Sequence, residues 1–121
     1  MRPFSFRPHQ RLLNKADFDR VFQKAEHRAS SGPILILCRS NNLDHPRLGL
    51  VVRKKMLKRA VDRNRLKRLA REAFRLRQHD LPKVDIVVLN RSAFKEDDFQ
   101  RAHHYVNRAF DKLTDQTRVT G

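Results

Sequence analysis

Between Arg53 and Arg77 the chain carries 12 basic and 2 acidic residues, and the same segment holds an apolar stripe at helical spacing. At about 100° per residue, with Leu66 at zero, Leu69, Ala70 and Ala73 fall within about 60° and Leu76 and Phe74 flank them. Asn64, Lys67, Arg68, Arg71 and Arg75 fall between about 100° and 200°, on the opposite face. Such a helix has to bury one face and leave the other to a counter-charge. Arg63–Lys67, Lys67–Arg71 and Arg71–Arg75 are like-charge pairs four apart, each costing about 0.2–0.5 kcal/mol. Only Glu72, within reach of Arg68, offsets them, and several cations sit at the unfavourable end of the helix dipole. The repulsion is on the order of 1–2 kcal/mol along a stripe about 25 Å long. A solvated face intersperses glutamate with its lysines; this one does not, and a phosphate backbone would remove the cost. Arginine outnumbers lysine in the block by eight to four, and its planar fork bonds phosphate oxygens in pairs and stacks on bases.

The rest of the chain narrows the class. The net charge of +15 over 121 residues is concentrated: residues 1–52 contribute +5, the block +10, and residues 78–121 nothing. Leu, Ile, Val and Phe number 34, enough for one modest core in one domain spanning 1–121. A single cysteine, Cys38, excludes a disulfide framework and a cysteine zinc cluster and fits a reducing compartment. No apolar run approaches the roughly 20 residues that span a membrane, and the N-terminus lacks a signal-peptide stretch. The expectation is a cytoplasmic protein with a polyanionic partner and no membrane.

Residues 1–12 have no period and form an extended basic lead-in. Asn14 can cap a helix that Asp17 favours in its first turn, with Leu13 and Phe18 placed as a hydrophobic staple. Phe18, Val21, Phe22 and Ala25 carry that helix to about Lys24. A short extended piece around His27–Ser31 is a candidate edge strand, and Gly32-Pro33 breaks the chain before the apolar run Ile34–Cys38. Turn residues Asn41–Pro46 lead to Leu48–Val52, expected to pair with that run as a hairpin. The basic helix ends near Gln78, Val84–Leu89 is a further strand, and Glu96, Asp97 and Asp98 open a last helix striped by Phe99, Ala102, Val106, Phe110 and Leu113. The tail after Asp115 is expected to fray. The order helix-strand-strand-strand-helix-strand-helix predicts an α+β fold, a small α/β sandwich with helices on a largely antiparallel sheet.

The run from Lys58 to Glu72, with Ala60-Val61, Arg63-Asn64-Arg65, Lys67-Arg68 and Arg71 on one helix, resembles the signature of the protein component of bacterial ribonuclease P. Phe18 and Phe22 in a first helix, Arg47-Leu48-Gly49 at the start of a strand, Lys54-Lys55 and Arg75-Leu76-Arg77 fit as well, and the resemblance covers roughly residues 6 to 113. It implies a left-handed strand–helix–strand crossover, against the right-handed form that general topology favours. It also implies an activity: removal of the 5′ leader of precursor tRNA by a ribonucleoprotein whose catalyst is an RNA subunit with bound divalent metal, magnesium. The protein would raise substrate and metal affinity without cleaving. On this resemblance Arg59, Arg63, Asn64, Arg65, Lys67, Arg68 and Arg71 contact the catalytic RNA. Phe18, Phe22 and the strand faces form a cleft for the single-stranded leader, with Lys54 and Lys55 at its rim, a use that aromatic platforms and positive walls suit.

Other readings compete. Charge alone also fits a generic basic RNA-binding protein of ribosomal type. A metal-dependent nuclease built on Asp97 and Asp98 is a third reading, although a first helical turn already accounts for those acids. Phe18 and Phe22 lie on a helical stripe and serve equally as core. Cys38 continues an apolar strand without a base beside it. His103 and His104, adjacent on a helix, point about 100° apart and do not share a metal easily; they and His79 are expected at the surface. With 3 glycines and no phosphate loop or nucleophile elbow, no catalytic or metal-binding protein residue is expected.

Overall fold

The computed structural model describes Arg11 and residues 14–120. The lead-in over residues 1–12 lies outside these residues except for Arg11, which bridges Leu48 in parallel; Leu13 of the expected staple lies outside them too. Helix α1 spans Lys15–Gln23, and the Asn14 side chain accepts from the Asp17 amide at 2.9 Å, as the capping pattern requires. Strands β1 (His27–Ser31), β2 (Ile34–Ser40) and β3 (Arg47–Val51) follow, then α2 (Ala60–Arg77), β4 (Val84–Asn90) and α3 (Glu96–Thr120). The expected edge strand is present as β1.

The four strands form one mixed sheet in the order β1-β2-β4-β3. The first two pairings are antiparallel and β3–β4 is parallel, joined across α2. The hairpin expected between Ile34–Cys38 and Leu48–Val52 therefore does not form: β4 lies between them. The hairpin pairs β1 with β2 instead, across Gly32-Pro33. Gly32 takes φ +55°, and a Cβ there would come within 2.7 Å of the Tyr105 ring, so the turn and its close cover both require glycine. Burial explains the strand order. All seven residues of β4 are buried, which suits a strand with neighbours on both sides and layers on both faces, whereas β3 is only partly buried and takes an edge.

Alternation divides the side chains between two faces. Ile34, Ile36, Cys38, Leu48, Ile86 and Val88 pack under α2 and α3 against Leu66, Ala70, Phe74, Val106 and Phe110. Leu35, Leu37, Val87 and Leu89 face the other way, under Val21 and Phe18 of α1. The α2 core stripe is confirmed at Leu66, Ala70, Ala73 and Phe74, with Leu69 partly buried, but Leu76 is half exposed. Leu76 sits at the margin of the wheel, and the packed face centres nearer Phe74. Nor does the chain fray after Asp115: α3 continues to Thr120 with Thr117 buried, and Lys112 Nζ and Gln116 Nε2 donate to the Ser30 and Arg28 carbonyls of edge strand β1. Those bonds blunt an edge that would otherwise invite pairing.

Candidate nucleic-acid interface

With Leu66, Ala70, Ala73 and Phe74 turned into the core, the opposite face of α2 is set by period alone. Asn64, Lys67, Arg68, Arg71, Glu72 and Arg75 line one open depression of about 510 Å³. The expected partner of Arg68 goes elsewhere: Glu72 binds Arg75, and that hydrogen bond holds the Glu72 carboxyl below its ordinary range. Lys67, Arg68 and Arg71 thus have no hydrogen-bond or ion-pair partner among the described residues. Three neighbouring unpaired cations on a rigid helix form an electrostatic footprint suited to phosphate. Arg59, the N-cap, makes no side-chain cap and lies 3.8 Å from Asp62.

Two of the seven candidate residues have structural duties as well. Arg63 Nη1 donates to the carbonyls of Leu57, at 3.0 Å, and Lys58, at 2.6 Å, holding the loop that precedes its own helix. Arg65 Nη1 donates to the Phe99 carbonyl at 2.8 Å, tying α2 to α3. The same loop is anchored at its start by Asn90, fully buried, whose side chain accepts from the Arg53 amide at 2.7 Å and donates to the Arg53 carbonyl at 3.2 Å. Asn90 was not singled out from the sequence; a polar residue closing an otherwise apolar strand was the available signal.

The second candidate surface is less unified. Phe18 is half-buried against the cluster of Val21, Leu35, Leu37, Val87 and Leu89, and Phe22 is 40 % exposed on the same helix. Lys54 and Lys55 are exposed in the turn after β3, and neither has a polar partner among the described residues. Lys55 lines a recess of about 250 Å³ with Leu57, Lys58, Arg59, Asp62, Phe94 and Phe99, beside the α2 N-terminus and away from Phe18 and Phe22. Under α1 the sheet carries an ion network that sequence reading missed. Arg47 Nε and Nη2 donate to the Asp85 carboxylate at 2.8 and 2.7 Å, and Nη1 reaches Asp17 of α1 at 3.4 Å. Asn41 Nδ2 adds a bond to Asp85 at 3.0 Å. The hydrogen bond that Arg47 donates to Asp85 is the main reason its guanidinium is held above its ordinary range. A carboxylate inside the apolar run Val84–Leu89 was the sequence signal for it.

The remaining candidates behave as the bland readings expect. Cys38 is fully buried, and burial pushes its thiol up to about 12. His79, His103 and His104 are exposed. Asp98 accepts from the Lys95 amide at 2.8 Å and from the Tyr105 hydroxyl at 3.2 Å, a capping arrangement at the start of α3.

The family model described as ribonuclease P matches residues 6–114. The chain belongs to the ribonuclease P protein family. It is 56% identical over 90 residues to the ribonuclease P protein component of Saccharophagus degradans, covering 74% of this chain and 67% of the relative. It is 46% identical over 113 residues to that of Vibrio vulnificus, covering 93% and 92%. The solved ribonuclease P protein of Staphylococcus aureus superposes with a TM-score of 0.74 at 28% identity, over 86% of this chain and 94% of that one. That of Thermotoga maritima gives 0.64 at 30%, over 88% and 94%. Membership of the ribonuclease P protein family makes this chain a subunit of a ribonucleoprotein endoribonuclease in tRNA processing, with an RNA partner. Among the described residues no helix is long and apolar enough to cross a membrane.

Proposed function

We propose that the outer face of α2 docks the catalytic RNA of ribonuclease P, and that the α1 side of the sheet holds the single-stranded 5′ leader of precursor tRNA. The observation that carries the first half is the row Lys67, Arg68 and Arg71, unpaired among the described residues, on a helix whose other face is core. Asn64 supplies a donor and an acceptor in the same row, and Arg59, Arg63 and Arg65 flank it. For the second half, Phe22 offers an exposed ring on α1 and Phe18 a half-buried one packed on the sheet, and Lys54 is an exposed cation in the turn after β3. Stacking on such rings is tolerant of sequence, which suits a leader that differs from one precursor to the next.

In this reading the protein positions RNA and the chemistry belongs to the RNA subunit. No group of three or more His, Cys, Asp or Glu that could hold a metal gathers among the described residues. The divalent ion is assigned in this proposal to the RNA subunit. The setting proposed is the cytoplasm, where the precursors are made. The test is leader dependence. The protein should strengthen binding of precursor tRNA to the RNA subunit when the leader is present and much less when it is trimmed away. Equal strengthening of both substrates would remove the leader half and favour a generic basic RNA-binding protein.

A further inference from the structure

The recess beside the α2 N-terminus adjoins the α2 docking face, with which it shares Arg59. We infer that it receives one unstacked base of the RNA that docks on α2. Its walls are apolar and aromatic: Phe94 and Phe99 lie with ring centroids 5.5 Å apart and planes tilted by 56°, and both remain partly exposed. Its rim is cationic, with Lys55, Lys58 and Arg59, and Asp62 contributes a carboxylate whose side chain is 20% exposed. A volume of about 250 Å³ has room for a single planar heterocycle. Aromatic wall, cationic rim and one acceptor are the three features by which proteins take a splayed-out base: stacking, phosphate neutralisation and edge recognition. Asp62 accepts hydrogen bonds, so it can read an N–H donor on the edge of the base, an exocyclic amino group or a ring imino group.

The recess is also held in shape before any RNA arrives. Arg63 bonds the carbonyls of Leu57 and Lys58, Asn90 grips the backbone of Arg53, and the Phe94 amide donates to the Met56 carbonyl at 3.4 Å. Arg65 holds Phe99 by its carbonyl. Two residues expected only to contact RNA therefore also build a pocket for it. Position decides the source of the base. The recess is lined by the N-cap Arg59 and the first-turn Asp62 of α2, whose core face packs on the side of the sheet opposite α1. The occupant is accordingly a base of the catalytic RNA and not of the leader. This inference rests on the α2 docking proposed above.

The test compares Phe94→Leu, which keeps apolar volume but removes the π-face, with Arg68→Ala, each in the full chain bound to the catalytic RNA alone. Loss of one stacked base should weaken binding about five- to one-hundred-fold in Phe94→Leu, with an unchanged melting temperature. Ultraviolet crosslinking of the wild-type complex should join Phe94 or Phe99 to a single nucleotide of that RNA. If Arg68→Ala weakens binding while Phe94→Leu does not, the recess proposal falls and α2 docking stands. If neither variant weakens it, the docking reading itself falls. Should Phe94→Leu melt early, the crosslink decides: an adduct with the catalytic RNA upholds the proposal. No adduct, or one with the leader alone once precursor tRNA is added, overturns it.

Discussion

Arg47→Met isolates the ion network under α1. Asp85 is 2% exposed, and Arg47 supplies two of the three side-chain hydrogen bonds its carboxylate receives. Methionine keeps much of the apolar stem but leaves a buried charge with Asn41 alone. Removing one partner of a buried pair costs about 3–5 kcal/mol; because the Arg47 side chain is 17% exposed, water relieves part of this, and about 3 kcal/mol is the expected loss. For 121 residues at about 2.1 cal/mol/K each, the unfolding entropy is about 0.25 kcal/mol/K, so the midpoint should fall by about 12 °C. The assay is thermal unfolding followed by circular dichroism at pH 7. The double variant Arg47→Met with Asp85→Leu should recover most of the loss, since replacing both members of a buried pair by apolar groups is close to neutral. A single variant within about 2 °C of wild type would refute the reasoning. So would a double variant that melts no higher than the single.

Two further outcomes follow from burial. Cys38 should resist Ellman's reagent at pH 8 in the folded protein and react fully once unfolded; rapid labelling of the native state would contradict its burial. With its thiol held near 12 against an ordinary 9.0, the folded state keeps a proton that the unfolded state releases, so stability should fall as pH rises from about 9 towards 12. Cys38→Ala should flatten that limb, and an unchanged slope would assign it to other groups. Phe74→Ala should cost about 3–5 kcal/mol, whereas Leu76→Gln, at a half-exposed site, should change stability by no more than about 0.5 kcal/mol; chemical denaturation distinguishes them, and equal losses would place Leu76 in the core.

The parts of the fold governed by local rules were legible in the sequence. Asn14 with Asp17 marked the start of α1, and the 3.6-residue stripe of α2 separated Leu66 and Ala70 from Lys67 and Arg71. Pairing was not legible in that way. The proximity of β2 and β3 along the chain favoured a hairpin, yet the deciding quantity was burial on both faces, carried by the apolar residues Ile86–Leu89 of β4. The handedness of the crossover came from family resemblance alone. At the site, period identified which side chains of α2 face outward, but not which find partners: Glu72 turns to Arg75 rather than Arg68, and Arg63 and Arg65 spend donors on backbone carbonyls. Those choices depend on loops whose paths follow from tertiary contacts. Asp85 and Asn90 were visible as polar interruptions of an apolar strand, without any indication of the residues they would hold.

The central claim is that phosphates of the catalytic RNA sit on the outer face of α2. It is tested most directly by the salt dependence of binding to that RNA, for wild type beside Arg68→Ala and Arg71→Ala. Neutralising four or five phosphates predicts a log–log slope of about −3 to −4 for wild type, and each substitution should make it shallower by about one while the protein stays folded. A wild-type slope near zero, or variants that keep the wild-type slope and affinity, would contradict the account.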